Sequence, residues 1–136
     1  MRILIADDEP TNRLLLQQLL KAVAQCDPVA DGREAVDFFK AAFDSELRYD
    51  LVLMDVMMPE MNGHDALASI RMFEELRGVT RDNEAVIILV TAIDAGDDAV
   101  AAFSIAFRTD YLQKPVLKEN LFRKLREHQL LPGDPS

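Results

Sequence analysis

Short runs that are apolar on both sides alternate along this chain with longer segments whose apolar residues recur at helical spacing. That alternation restricts the possible folds more than any other feature. Ile3-Leu4-Ile5-Ala6, Leu51-Val52-Leu53-Met54 and Val86-Ile87-Ile88-Leu89-Val90 have no polar face, as expected of strands covered on both sides of a parallel sheet. Cys26 to Ala30 and Asp110 to Leu112 read as shorter, weaker strands. The first intervening segment places Leu15, Leu16, Leu19, Leu20 and Val23 on one helical face. A second helix opens at Asp31-Gly32 and turns Ala35, Val36, Phe39 and Phe43 inward. A third spans about 64–77, with Leu67, Ile70, Phe73 and Leu76 at helical spacing, and a polar connector (77–84) follows. A fourth is expected over 97–107 and a last over 118–128. Strict β–α alternation in 136 residues predicts one α/β domain, a parallel sheet with helices on both faces.

Charge and cysteine content narrow the function classes. The 24 acidic residues outnumber the 15 basic ones, for a net charge of −9, so the basic footprint of a nucleic-acid binder is missing. No apolar run approaches the roughly 18 residues of a membrane span, and the first run stops at Asp7, short of a signal sequence. Cys26 has no partner for a disulfide or a CxxC zinc site; it reads as a small core residue, and the cytoplasm is the expected compartment.

In open parallel sheets, ligands bind at the carboxyl ends of the strands. Asp7, Asp8 and Glu9 follow the first strand, Asp55 the third, Thr91 the fourth and Lys114 the fifth, so these residues are expected to converge. Glu9 is expected to cap the first helix, with Asp7 and Asp8 facing a metal. Crowded carboxylates raise one another's pKa unless a cation neutralises them. A few hard oxygen donors suit Mg²⁺, which binds through one or two carboxylates plus phosphate. Asp55 can then act as a nucleophile toward a phosphoryl group, with Lys114 and the Thr91 hydroxyl addressing its oxygens. His64 and His128 are expected to face solvent.

Asp7-Asp8-Glu9, Asp55 followed by Met58-Pro59 and Asn62-Gly63, Thr91-Ala92, and Tyr111 with Lys114-Pro115 together resemble the receiver domain of response regulators, over about residues 1–128. The resemblance implies a flavodoxin-like (βα)5 doubly wound sheet of strand order 2-1-3-4-5, with 129–136 a flexible tail or the start of a linker. It implies that Asp55 is the phosphoacceptor, that Asp8 and Asp55 ligate Mg²⁺ directly, that Asp7 acts through a metal-bound water, and that the Met57 backbone carbonyl completes the protein ligands. Thr91 and Tyr111 match a coupled switch pair, Lys114 the phosphate-binding lysine, and the bond before Pro115 is often cis in the family. The implied donor is a phosphohistidine on a histidine kinase or a histidine phosphotransfer protein. An output partner or a homodimer would use the face formed by the fourth helix, fifth strand and last helix.

This sequence departs from the family pattern at Phe107, where a glycine is usual, and the Thr91-to-Tyr111 segment is about one residue longer than is common in the family. Met57 and Ile93 are apolar at two positions that influence phosphoryl hydrolysis, which implies slow self-dephosphorylation. A haloacid-dehalogenase-type phosphatase would need a second Asp where Met57 stands, so a signalling switch rather than a turnover enzyme is expected. The alternative is a degenerate receiver that only binds protein, but such domains normally lack Asp8, Asp55, Thr91 or Lys114. The start at Met1 reads against an internal or C-terminal receiver of a hybrid kinase. With no DNA-binding, cyclase or kinase segment after residue 128 in this sequence, the expectation is either a stand-alone receiver acting by contact or one cut at the Pro132-Gly133-Asp134-Pro135 linker.

Overall fold

A computed structural model describes residues 1–92 and 108–132. Five strands, β1 (Arg2–Ala6), β2 (Gln25–Val29), β3 (Leu51–Asp55), β4 (Val86–Thr91) and β5 (Thr109–Gln113), form one sheet in the order β2-β1-β3-β4-β5, every pair parallel. This is the expected doubly wound order. The three two-sided apolar runs became the three central strands, and their side chains are buried throughout β3 and β4. Alternation along the strands divides the core. Leu4, Val52, Met54, Ile87 and Leu89 pack with α2 (Gly32–Asp44) and α3 (Gly63–Leu76). Ile3, Ile5, Leu51, Leu53, Ile88 and Val90 pack with α1 (Pro10–Leu20) and the C-terminal helix (Lys118–Glu127). The predicted fourth helix and Phe107 lie outside the described residues.

Helix starts follow local chemistry. Pro10 opens α1, where its missing N–H costs nothing. Asp31 caps α2 by accepting the Glu34 N–H, and Glu34 reaches back to the Ala30 N–H. Asn62 caps α3 by accepting the Asp65 N–H at 2.9 Å. The C-terminal helix ends at a left-handed Gln129, after which Leu130 and Leu131 fold back onto the second core cluster.

Several side-chain expectations need correction. Leu15 is exposed and α1 ends at Leu20, so Val23 lies in the turn beyond it. Leu16 and Leu20 are buried, and Leu19 and Val23 are partly buried against the same cluster, so of the expected stripe only Leu15 faces away. Leu76, the final residue of α3, is also exposed, and Phe43 is only half-buried, meeting the Phe73 ring edge-on at 5.2 Å. Cys26 is half-buried rather than core, because β2 is an edge strand. Pro28 is compatible with that edge position. Glu9 stands at the α1 N-cap without a side-chain cap bond.

Candidate functional site

The expected site residues lie at the C-terminal edge of the sheet, apart from Tyr111 midway along β5. Asp7 and Asp8 directly follow β1, Asp55 ends β3, Thr91 ends β4 and Lys114 directly follows β5. Close backbone approach builds the floor. Val56 N–H donates to the Val90 carbonyl, Lys114 N–H donates to the Thr91 carbonyl at 2.8 Å, and Gly63 N–H donates to the Val56 carbonyl at 2.8 Å. A Cβ at Gly63 would fall 2.5 Å from the Asp55 carbonyl oxygen, so only glycine lets α3 begin this close to the end of β3.

One carboxylate oxygen from each of Asp7, Asp8 and Asp55 lies within 4.8 Å of the others. Asp7 and Asp55 are 3% and 4% exposed, so water screens them poorly, whereas Asp8 is exposed. Lys114 Nζ sits 2.7 Å from Asp55 Oδ2, and the Met57 N–H donates to Asp55 Oδ1 at 3.2 Å. Asp7 Oδ1 accepts the Glu9 N–H at 2.9 Å. Burial raises the Asp7 carboxyl above its ordinary value; the Glu9 N–H opposes this, while Asp55 and Asp8 add to it. Burial pulls the Lys114 ammonium down, but its hydrogen bond to Asp55 and the charges of Asp55, Asp7 and Asp8 outweigh that and hold it above the usual lysine value. Three carboxylates against one ammonium is an excess of negative charge in a half-closed site, and hard oxygens are the donors Mg²⁺ takes. The residues fit that ion.

Tyr111 is buried among the residues of the first core cluster. Leu89 is its partner in the β4–β5 register, and Thr91 lies one same-side step further along β4. The pair therefore shares a sheet face at the diagonal separation of cross-strand neighbours. His64 is exposed as expected, with its ring 6.1 Å from that of Tyr111. The bond between Lys114 and Pro115 is cis. Ile93 lies outside the described residues.

Sequence reasoning missed three features. Arg13 Nη1 donates to the Asp7 carbonyl at 2.7 Å and ties α1 to the site; its spacing from Asp7 was a usable signal. A cavity of about 330 Å³ opens beside Asp7 and Lys114, with Leu15, Leu16, Val90 and Val116 in its wall. His128 is not solvent-facing: its Nε2 lies 2.8 Å from Asp110 Oδ2, while Lys124 holds Oδ1 at 2.9 Å. Only folding brings the end of the C-terminal helix to the start of β5.

Residues 3–126 match the family model described as "Response regulator receiver domain". The two-component response regulator ORR41 of Oryza sativa subsp. japonica is 35% identical over 121 residues, which cover 89% of this chain and 88% of that one. Among solved structures, the receiver domain of Saccharomyces cerevisiae Ssk1, crystallised with the histidine phosphotransfer signalling protein Ypd1, matches with a TM-score of 0.78 and 26% identity. That match covers 97% of this chain and 92% of that one. The receiver domain of the Arabidopsis thaliana histidine kinase CKI1, complexed with Mg²⁺ and BeF₃⁻, matches at 0.72 and 26% identity, over 96% and 90% of the two chains. Some other curated relatives are far longer, and the chain spans only 15–16% of three of them.

Proposed function

This chain belongs to the response regulator receiver domain family of two-component signalling, and on that premise we propose that it is a switch phosphorylated on Asp55. The observation that carries the reading is the position of Asp55: buried at the end of β3, within 4.8 Å of Asp7 and Asp8 and hydrogen-bonded to Lys114. Asp8, Asp55 and the Met57 carbonyl, with Asp7 through water, would hold Mg²⁺, which would supply the positive charge that lets these carboxylates and a phosphoryl group share one site. An Asp55 carboxylate oxygen attacks phosphorus. The P–N bond of a phosphohistidine breaks, and its electron pair returns to the imidazole nitrogen. Lys114, on a flexible stem, neutralises charge on the phosphoryl oxygens, and the Thr91 hydroxyl donates to one of them. As Thr91 moves to make that bond, Tyr111 on the same sheet face adjusts with it.

The donor is a histidine kinase or a histidine phosphotransfer protein in the cytoplasm. Leu14, Leu15 and Leu117 are 57%, 48% and 48% exposed. Leu15 lines the cavity beside Asp7 and Lys114, which gives such a partner apolar surface next to the acceptor. Output passes through a partner or a second copy at the face formed by the fourth helix, β5 and the C-terminal helix.

Incubation with acetyl phosphate and Mg²⁺ tests the reading by intact mass. The wild-type chain should gain one phosphoryl group and Asp55→Ala none. Absent uptake, or uptake that survives the substitution, favours a phosphorylation-independent binding module. Met57 is 77% exposed beside Asp55 and, being apolar, cannot orient an attacking water. The phosphorylated chain should therefore persist for many minutes with Mg²⁺, and decay within seconds would refute slow self-dephosphorylation.

A further inference from the structure

The edge of the domain away from Asp55 holds a second polar pocket that the phosphorylation site does not use. It lies where α2 and α3 end, closed by the chain leading into β4, and has a volume of about 370 Å³. Phe43, Arg48, Arg77, Val79, Thr80 and Asn83 line it. Gly78, at φ 74, turns the chain out of α3 and leaves open space where a side chain would stand.

In a chain of net charge −9, the cations at this pocket stand out. The Arg48 guanidinium carbon stacks 3.8 Å from the centre of the Phe43 ring. The Arg77 guanidinium carbon lies 5.8 Å from that ring and 4.8 Å from the ring of Phe73, over which Lys40 Nζ also sits at 5.7 Å. Asp44 holds one nitrogen of Arg77 at 2.7 Å, which fixes the guanidinium without covering all its donors. Among the described residues no carboxylate forms an ion pair with Arg48. Two guanidinium groups oriented by aromatic stacking present the planar, multi-donor arrangement that recognises phosphate better than lysine does. Asn83 Nδ2 donates to Thr80 Oγ1 at 3.0 Å, so the Thr80 hydroxyl keeps its own proton to give.

We propose that this pocket binds a phosphate monoester of nucleotide size, with Arg48 and Arg77 on the phosphate oxygens and Thr80, Asn83 and Val79 against the organic part. Size separates an ester from a free anion, because a bare phosphate would fill a small fraction of the volume. The position, remote from β3's carboxyl end, makes the ligand an effector rather than a phosphoryl donor.

The test is amide NMR titration of the full chain in magnesium-free buffer, using inorganic phosphate, adenosine monophosphate and adenosine as separate probes. The monophosphate should shift resonances of Phe43, Arg48 and residues 77–83, and bind about tenfold tighter than inorganic phosphate. Arg48→Met and Arg77→Met should each weaken it about tenfold, the loss expected for one charge-assisted contact. Equal affinity for the two phosphates would overturn the ester. Shifts confined to Asp55 and Lys114 would overturn the site, as would adenosine binding as tightly as its monophosphate. If Arg48→Met lowers stability yet leaves the titration unchanged, Arg48 serves only as a cover for Phe43 and the assignment fails. Should either methionine variant not fold, raising salt on the wild-type chain must still weaken the monophosphate, and salt-independent binding would refute the ionic contact.

Discussion

The two edges of the sheet treat buried carboxylates in opposite ways. At the N-terminal edge each has partners of its own. Glu74, 2% exposed, meets Arg71 Nη1 at 2.6 Å and accepts the Ala85 N–H at 2.8 Å, while Arg71 Nη2 donates to the Arg108 carbonyl. Asp27, half-buried midway along β2, likewise accepts the Tyr49 hydroxyl at 2.6 Å and pairs with Arg2 at 2.9 Å. At the C-terminal edge three carboxylates crowd around one lysine. The first arrangement pairs each carboxylate within the chain, and Glu74 with Arg71 fastens α3 to the starts of β4 and β5. The second leaves negative charge for something outside the chain to neutralise. Paired charge and crowded charge are thus concentrated at different ends of the same sheet.

Substitution separates them. The largest effect is expected at Glu74, because Glu74→Ala removes the carboxylate that pairs with Arg71 and leaves the Ala85 N–H without its acceptor in the interior. It should cost about 3–5 kcal/mol in urea unfolding. A loss under about 1 kcal/mol would mean that the N-terminal edge is no better satisfied than the other.

A smaller effect of opposite sign is expected at Asp7. Its carboxyl is raised in the folded chain, so its ionisation opposes folding: the favourable contribution is complete below the ordinary carboxylate value and is lost as pH rises through the folded value. Asp7→Asn should therefore stabilise the magnesium-free protein near neutral pH by on the order of 1 kcal/mol. It should also shrink the rise in Tm expected when Mg²⁺ is added to the wild type. A destabilised Asn variant without Mg²⁺ would contradict the crowding.

Asp110 provides the smallest and sharpest contrast. Burial raises its carboxyl, but His128, Lys124 and the Tyr111 N–H outweigh that, and the net shift is downward. Its contribution is present above the ordinary carboxylate value, about 4, and is lost as pH falls through the lower folded value. Thermal unfolding of Asp110→Asn against wild type should converge on acidification, the reverse of the Asp7 variant. Parallel pH profiles for the two variants would remove the distinction.

Much of this was readable in the chain. Runs such as Val86-Ile87-Ile88-Leu89-Val90 need cover on both faces, and a doubly wound sheet gives that most fully to its central strands. The residues that follow them were then bound to meet at one edge, and Asp7, Asp8, Asp55, Thr91 and Lys114 do so. Other features were not readable. Five leucines within seven positions of α1 did not announce which two would be buried, since the choice depends on where the sheet lies. Glu74 looked like any surface acid of an amphipathic helix, and His128 like a solvated helix end. Their partners, Ala85 and Asp110, are 11 and 18 residues away in the chain.

The sequence by itself determined the order of elements, the sheet's parallel character and the chemistry gathered at its C-terminal edge. Local periodicity and the residue after each strand are sufficient for that. Tertiary structure alone decided which charges are paired and which are crowded. It also brought Arg48 and Arg77 over one phenylalanine ring, because an ion pair or a stacked guanidinium depends on angstrom-scale distances between segments that periodicity does not specify.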